Sequence, residues 1–151
     1  RIRYRVLIFA VGALDPALAA WEEAMRRKAR AMIAIEVREL ALSRAKTPQA
    51  RMREEAKRLL AALGNAPFVL LDRRGEMLSS EDWAKKLGAR KSWRMAIAGP
   101  DGADPELFAR AAEVWSLSRL TLPHRLARLI AVEQWFRAAA ILCGHPYHRG
   151  A

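Results

Sequence analysis

The chain holds a single cysteine, Cys143. One thiol cannot build an intrachain disulfide framework or a cysteine-based zinc site. Apolar runs are also short. None approaches the roughly 20 residues that a membrane-crossing helix needs, so no membrane span is expected. The opening segment, RIRYRVLIFAVGAL, sets basic residues before an apolar run, as secretion signals do, but Asp15-Pro16 and an amphipathic pattern follow at once. It reads as a first strand, and a cytoplasmic location is expected. Phosphate-binding glycine motifs are missing too. AVGALDP, after that strand, has one glycine, which disfavours a dinucleotide fold of the G-x-G-x-x-G type. Neither a P-loop nor a G-x-S-x-G nucleophile elbow occurs. His145 and His148 stand at H-x-x-H spacing, but no third ligand lies near them in sequence, so no metal is expected.

Acidic residues are scarce beside basic ones: 16 Asp and Glu against 27 Lys and Arg, for a net charge of +11. An excess this large on a small chain favours polyanionic partners, nucleic acid above all. Basic clusters recur at RRKAR (26–30), Arg51/Arg53, Lys57/Arg58 and ARKSWR (89–94). With 52% hydrophobic and 28% charged residues, the composition is that of a globular chain. At 151 residues it is expected to form one domain, 1–151, with room for a proper core.

Apolar patterning and punctuation give an alternating order of elements. Strands are expected at 3–11, 32–37, 68–72, 93–99 and 114–118. Helices are expected at 16–30, 48–63, from Ser79 or Ser80 to Leu87, at 105–112 and at 123–142. Asp15-Pro16 and Thr47-Pro48 supply an N-cap and a first-turn proline. RRGEML, after Asp72, reads as a turn. Strands alternating with helices imply an α/β fold with a mostly parallel sheet covered by helices. Ligands of such sheets bind beyond the carboxyl ends of the strands. The loops after Asp72, Ala98 and Ser118 are therefore the candidate site. The last is unusual: WSLSRLTLPHR interleaves Leu117, Leu120 and Leu122 with Ser116, Ser118 and Thr121. Apolar side chains there could sandwich an adenine ring while the hydroxyls satisfy the loop's own polar groups. Equally, the leucines could plug the end of the sheet. Trp115 and Trp135 are expected in the core or a dimer contact, and Cys143 as a small buried hydrophobe.

The C-terminal third, AGPDG…WSLSRLTLPHRLARLIAVEQWFRAAAILCGHPYHRG, closely resembles the RlmH family of SPOUT-class methyltransferases. The residues that carry the match are Gly99-Pro100, Gly102, Ser116–Ser118, Leu120–His124, Glu133, Arg137 and His145–Arg149. AVG at 10–12 and LLD at 70–72 also fit, while 38–60 is only loosely similar. The resemblance implies a SPOUT fold with a deep trefoil knot in its C-terminal part, against the general rule that chains are unknotted. It implies an obligate homodimer, and the apolar side of 126–142 (Leu126, Leu129, Ile130, Phe136) suits one. It implies S-adenosylmethionine as methyl donor and N3 of a pseudouridine in large-subunit ribosomal RNA as acceptor; the expectation of one compact domain adds that the assembled ribosome presents the target. The cofactor site it implies is Leu71, Ala98, Gly99 and the loop Leu117, Ser118, Arg119, Leu120, Thr121 and Leu122. A branched side chain at Gly99 is expected to fill the ligand's space. The catalytic and substrate-gripping residues it implies are Glu133, Arg137, His145, Tyr147, His148 and Arg149, the tail lying beside a cofactor pocket with the partner subunit helping to complete each site. The family usually has two glycines where this chain has Ala98-Gly99, and glutamate where it has Asp101. Two rivals share the fold: a catalytically silent SPOUT-type protein that binds ribosomal RNA, and a SPOUT methyltransferase acting on another RNA.

Overall fold

A computed structural model describes residues 3–149. Five strands form one sheet: β1 (Tyr4–Val11), β2 (Ile33–Leu40), β3 (Val69–Met77), β4 (Ser92–Ile97) and β5 (Glu113–Ser116). Their order is β2-β1-β4-β3-β5, and every pairing is parallel. The helices between them are α1 (Pro16–Ala29), α2 (Pro48–Leu63), α3 (Ser80–Ala89), α4 (Pro105–Arg110) and α5 (His124–Cys143).

Local chemistry sets where the helices start. The side chains of Asp15 and Thr47 accept from Leu18 N–H and Ala50 N–H, each followed by a proline at the first helical position. Ser79 and Asp82 cap α3 reciprocally. The strands then divide their side chains with period two between two cores. Val6, Ile8 and Ala10 of β1 and Trp93, Met95 and Ile97 of β4 face α1, α3 and α5. Phe9, Val11, Leu70 and Ala96 face α2 and α4. The larger core centres on four tryptophans, Trp83, Trp93, Trp115 and Trp135, with paired ring centroids 4.8–6.0 Å apart. Trp115 and Trp135 are fully buried there, in the core position expected of them.

Three expectations need correction. RRGEML is not a simple turn: β3 breaks register after Leu71 and resumes beside β5, pairing Glu76 with Trp115 and Met77 with Ser116. Gly75 makes that return possible, because a Cβ there would lie 2.5 Å from the backbone carbonyl of Val114. The second strand runs on to Leu40, three residues past its expected end, paired with β1 throughout. Cys143 is exposed, because it ends α5 three residues past the helix's last buried side chain, Ala140.

Candidate active site

The carboxyl ends of β3, β4 and β5 open into one pocket of about 510 Å³. Leu71 and Ile97 form its floor with Ala98, Gly99 and Gly102, and the loop after β5 forms one wall. Of the residues expected to bind a cofactor, Leu71, Ala98, Gly99, Leu117, Ser118, Leu120, Thr121 and Leu122 all line it. Arg119 does not; its side chain is exposed beside the loop. The leucines of the loop divide between the core and the pocket. Leu117 packs on the tryptophan core, while Leu120 stays 69% exposed at the pocket wall. Its hydroxyls serve its own backbone: Ser116 Oγ donates to Ser118 C=O (2.9 Å), and Leu120 N–H donates to Ser118 Oγ (3.0 Å).

Ala98 packs against the α2-side core, so its methyl group is accommodated despite the loss of the usual glycine. Gly99 also differs from expectation. A Cβ there would meet Glu55 Oε1 at 2.8 Å and Val11 Cγ1 at 3.0 Å. It would strike the layer beneath the pocket before it filled any ligand's space.

His124 opens α5, lines the pocket, and escaped assignment in the sequence although it belongs to the LTLPH run. Its Nε2 is buried without a hydrogen-bond partner among the described residues. Burial, and the charges of Arg125 and Arg128, hold its pKa below the ordinary value of 6.5. The ring is thus neutral at pH 7. An NMR titration of the His124 ring should give a midpoint below 6.5; a midpoint at or above it would contradict a buried, neutral imidazole. As pH falls, the unfolded chain takes up the proton first. The stability that His124 contributes is therefore present above about pH 6.5 and lost as pH falls through the folded pKa.

A second cluster gathers on the far part of α5. Arg137 grips Glu133 through Nε (3.2 Å) and Nη2 (2.8 Å), and Tyr147 Oη–H donates to the same carboxylate oxygen at 2.5 Å. Tyr147 stacks on Phe136 with centroids 4.1 Å apart. Burial first, and then the hydrogen bond to Glu133 and its charge, push the Tyr147 phenol up to about 12, so it keeps its proton. Arg137 Nη1 donates to His148 Nδ1 (3.2 Å), and His148 Nε2 lies 3.3 Å from Glu81. His145 Nδ1 accepts from Tyr147 N–H, and Arg149 Nε reaches Pro146 C=O at 3.4 Å; both side chains are exposed at the cluster's edge. Glu133, Arg137, Tyr147 and His148 therefore meet, with His145 and Arg149 beside them. No residue of this cluster lines the pocket. Glu133 sits nine residues past His124, roughly 14 Å along the helix at 1.5 Å per residue. Between the two regions lies an apolar groove of Ala17, Leu18 and Trp21 on α1 and Leu126, Leu129, Ile130 and Glu133 on α5.

Among the described residues no group of three His, Cys, Asp or Glu side chains could hold a metal, and no helix is long and apolar enough to cross a membrane. A family model described as "Predicted SPOUT methyltransferase" matches residues 4–148. The chain is 41% identical, over 96% of its length and 99% of the relative's, to a protein of Rhizobium leguminosarum bv. trifolii named ribosomal RNA large subunit methyltransferase H. Proteins of the same name from Brucella anthropi and Rhizobium meliloti are each 47% identical, covering 75% and 74% of this chain and 74% and 73% of their own.

Proposed function

The chain belongs to the SPOUT methyltransferase family, and we propose that it methylates N3 of a pseudouridine in large-subunit ribosomal RNA, with S-adenosylmethionine as donor and the assembled ribosome as substrate. The observation that carries this reading is the convergence of three strand-end loops on one pocket. Its volume lies in the range of small-molecule sites, and its lining is apolar with a few placed polar groups. Backbone can approach a ligand closely at Gly102, where nothing stands within 4 Å of an added Cβ. Leu71, the Ala98–Gly99 turn and Leu117–Leu122 would hold the cofactor; Arg119 would instead face a phosphate outside. The bound cofactor supplies an electrophilic methyl group, and the chain supplies alignment.

The acceptor N3 must give up its proton, to a general base or to water, before it attacks well. Arg137 and Arg149 of the far cluster would offer cationic stabilisation to the anion that results. With Nδ1 of each histidine accepting, Nε2–H is the donor on both rings: that of His148 faces Glu81, and His145 is exposed. Tyr147 keeps its proton and donates it to Glu133, which also holds Arg137 in place. The exposed His145 donor and the Arg137 and Arg149 cations would stabilise negative charge on a ring oxygen or a phosphate. His145 and Arg149, both exposed, would meet the RNA backbone.

Since the cluster lies away from the pocket of its own chain, each site would join one protomer's pocket to its partner's tail. The α1/α5 groove is the proposed homodimer face, with Trp21 43% and Leu126 44% exposed. The reading includes a trefoil knot in the C-terminal part and work in the cytoplasm, where ribosomes are. The test is nucleoside mass analysis of ribosomal RNA. Cells lacking the protein should lose one methylated pseudouridine, and purified protein with S-adenosylmethionine should restore it on their ribosomes. An unchanged nucleoside profile would remove the proposal. Loss of a methyl group from transfer RNA instead would reassign the substrate.

A further inference from the structure

Two side chains on α2, one helical turn apart, reach beneath the pocket from behind. Arg51 grips Asp101 with both arms of its guanidinium, Nε to Oδ2 at 2.7 Å and Nη2 to Oδ1 at 3.2 Å. Its remaining Nη1 donates to Ala45 C=O at 3.1 Å. Glu55 is 2% exposed. Its Oε2 accepts from Ser43 N–H at 2.8 Å. Its Oε1 has no hydrogen-bond partner among the described residues and lies directly under Gly99. Each residue therefore holds one point on the loop after β2 and abuts one point on the loop after β4. The loop after β4 carries Ala98, Gly99, Pro100 and Gly102 to the pocket wall, whereas Arg51, Glu55 and Asp101 do not reach the pocket.

The construction has a physical logic. The turn at 99–102 is short, closed by Gly102 N–H donating to Gly99 C=O at 3.1 Å, with Gly102 at φ +97°. A turn with two glycines has many unfolded alternatives and little side-chain packing of its own. A bidentate arginine–carboxylate pair fixes both distance and plane, which a single hydrogen bond does not. The missing Cβ at Gly99 is what lets the buried carboxylate pack against the turn from below.

We propose that Arg51 and Glu55 are positioning residues for the cofactor pocket: they brace the 98–102 turn from α2, and cofactor affinity depends on that brace while the methyl-transfer step does not. The inference rests on the reading of this pocket as the S-adenosylmethionine site. It also gives 38–60, the segment least like the resembled family, a part in the site.

The test is calorimetric binding of S-adenosylhomocysteine to the full chain, with ribosome methylation measured in parallel. Arg51→Met and Asp101→Asn should each raise Kd roughly tenfold, the scale expected when a charged hydrogen-bonded pair is broken. The double variant should lose no more than either single one, because both remove the same brace. Glu55→Ala should raise Kd likewise, and Glu55→Gln, which keeps an acceptor for Ser43 N–H, should recover most of the loss. In the methylation assay the KM for S-adenosylmethionine should rise while kcat falls far less. Arg51→Lys, which keeps the charge without the fork, serves if Arg51→Met proves unstable, and it should still weaken binding. Unchanged Kd in Arg51→Met and Glu55→Ala would overturn the brace. So would additive losses in the double variant, or a fall in kcat at constant KM. If the unaltered protein fails to bind S-adenosylhomocysteine, the pocket reading itself falls, and the brace with it.

Discussion

Arg128→Ala is expected to destabilise the protein by about 3–5 kcal/mol, the usual penalty for leaving a buried charge without its partner. Arg128 is 6% exposed, and each of its three guanidinium nitrogens donates to a carboxylate. Nε and Nη2 donate to the two oxygens of Glu22 at 2.8 and 2.9 Å, and Nη1 donates to Glu39 at 2.6 Å. Burial works against the Arg128 charge, yet the bonds to Glu22 and Glu39 outweigh it and hold the group more basic than usual. Removing the arginine leaves Glu22, itself 4% exposed, buried without that partner. Glu39, more exposed, can turn to water. The companion variant Glu22→Leu/Arg128→Met should recover much of the loss, since a buried ion pair is often replaceable by apolar packing. Urea denaturation of the three proteins checks both statements. A loss below about 1 kcal/mol for Arg128→Ala would place the pair with ordinary surface bridges. The pair joins α5 to α1 and β2 one turn after His124, so the variant should also loosen that wall of the pocket.

A chain ending at Gly144 should methylate ribosomes roughly 10²–10³-fold more slowly, the scale of losing preorganised donors around a developing anion. Its affinity for S-adenosylhomocysteine should stay unchanged, because nothing from 145–149 lines the pocket. The tail is not a frayed end. Tyr147 stacks on Phe136 and donates to Glu133, so truncation should also lower the melting temperature modestly. Tyr147→Phe separates the two effects: it keeps the stack and removes only the hydroxyl. Full activity in the truncated protein would end the role proposed for the tail. Lost cofactor affinity would move the tail to the other ligand.

What was legible in the sequence was what is local. Asp15-Pro16, Thr47-Pro48 and Ser79 to Asp82 mark their helix starts through contacts three residues long. Alternating strands and helices implied parallel pairing, and parallel pairing put the site at the carboxyl ends of the strands. The pocket followed from that, apart from Arg119, which loop membership alone could not turn outward. What was illegible depends on distant partners. Gly75 looked like a turn glycine, but its reason is the backbone of Val114 across the sheet. Arg51 meets Asp101 fifty residues away, and Arg128 meets Glu22 across 106. Nothing near any of these residues signals its partner. The tail's composition pointed to chemistry, but its fold back onto Phe136 and Glu133 required the finished helix.

The tryptophans divide into two optical populations. Trp83, Trp93, Trp115 and Trp135 form a buried cluster in which five of the six ring pairs lie 4.8–6.0 Å apart, close enough for their transitions to couple. Their near-ultraviolet circular dichroism should be intense and should vanish only when the sheet comes apart. Trp21 stands alone on α1, 43% exposed, at the apolar groove. Its emission is the red-shifted component that acrylamide can reach. Excited at the red edge, this one indole reports whether the groove is open to water or covered by a second copy, while the other four report only that the chain is folded. The protein thus carries separate built-in probes for assembly and for folding, and needs no label to tell the two apart.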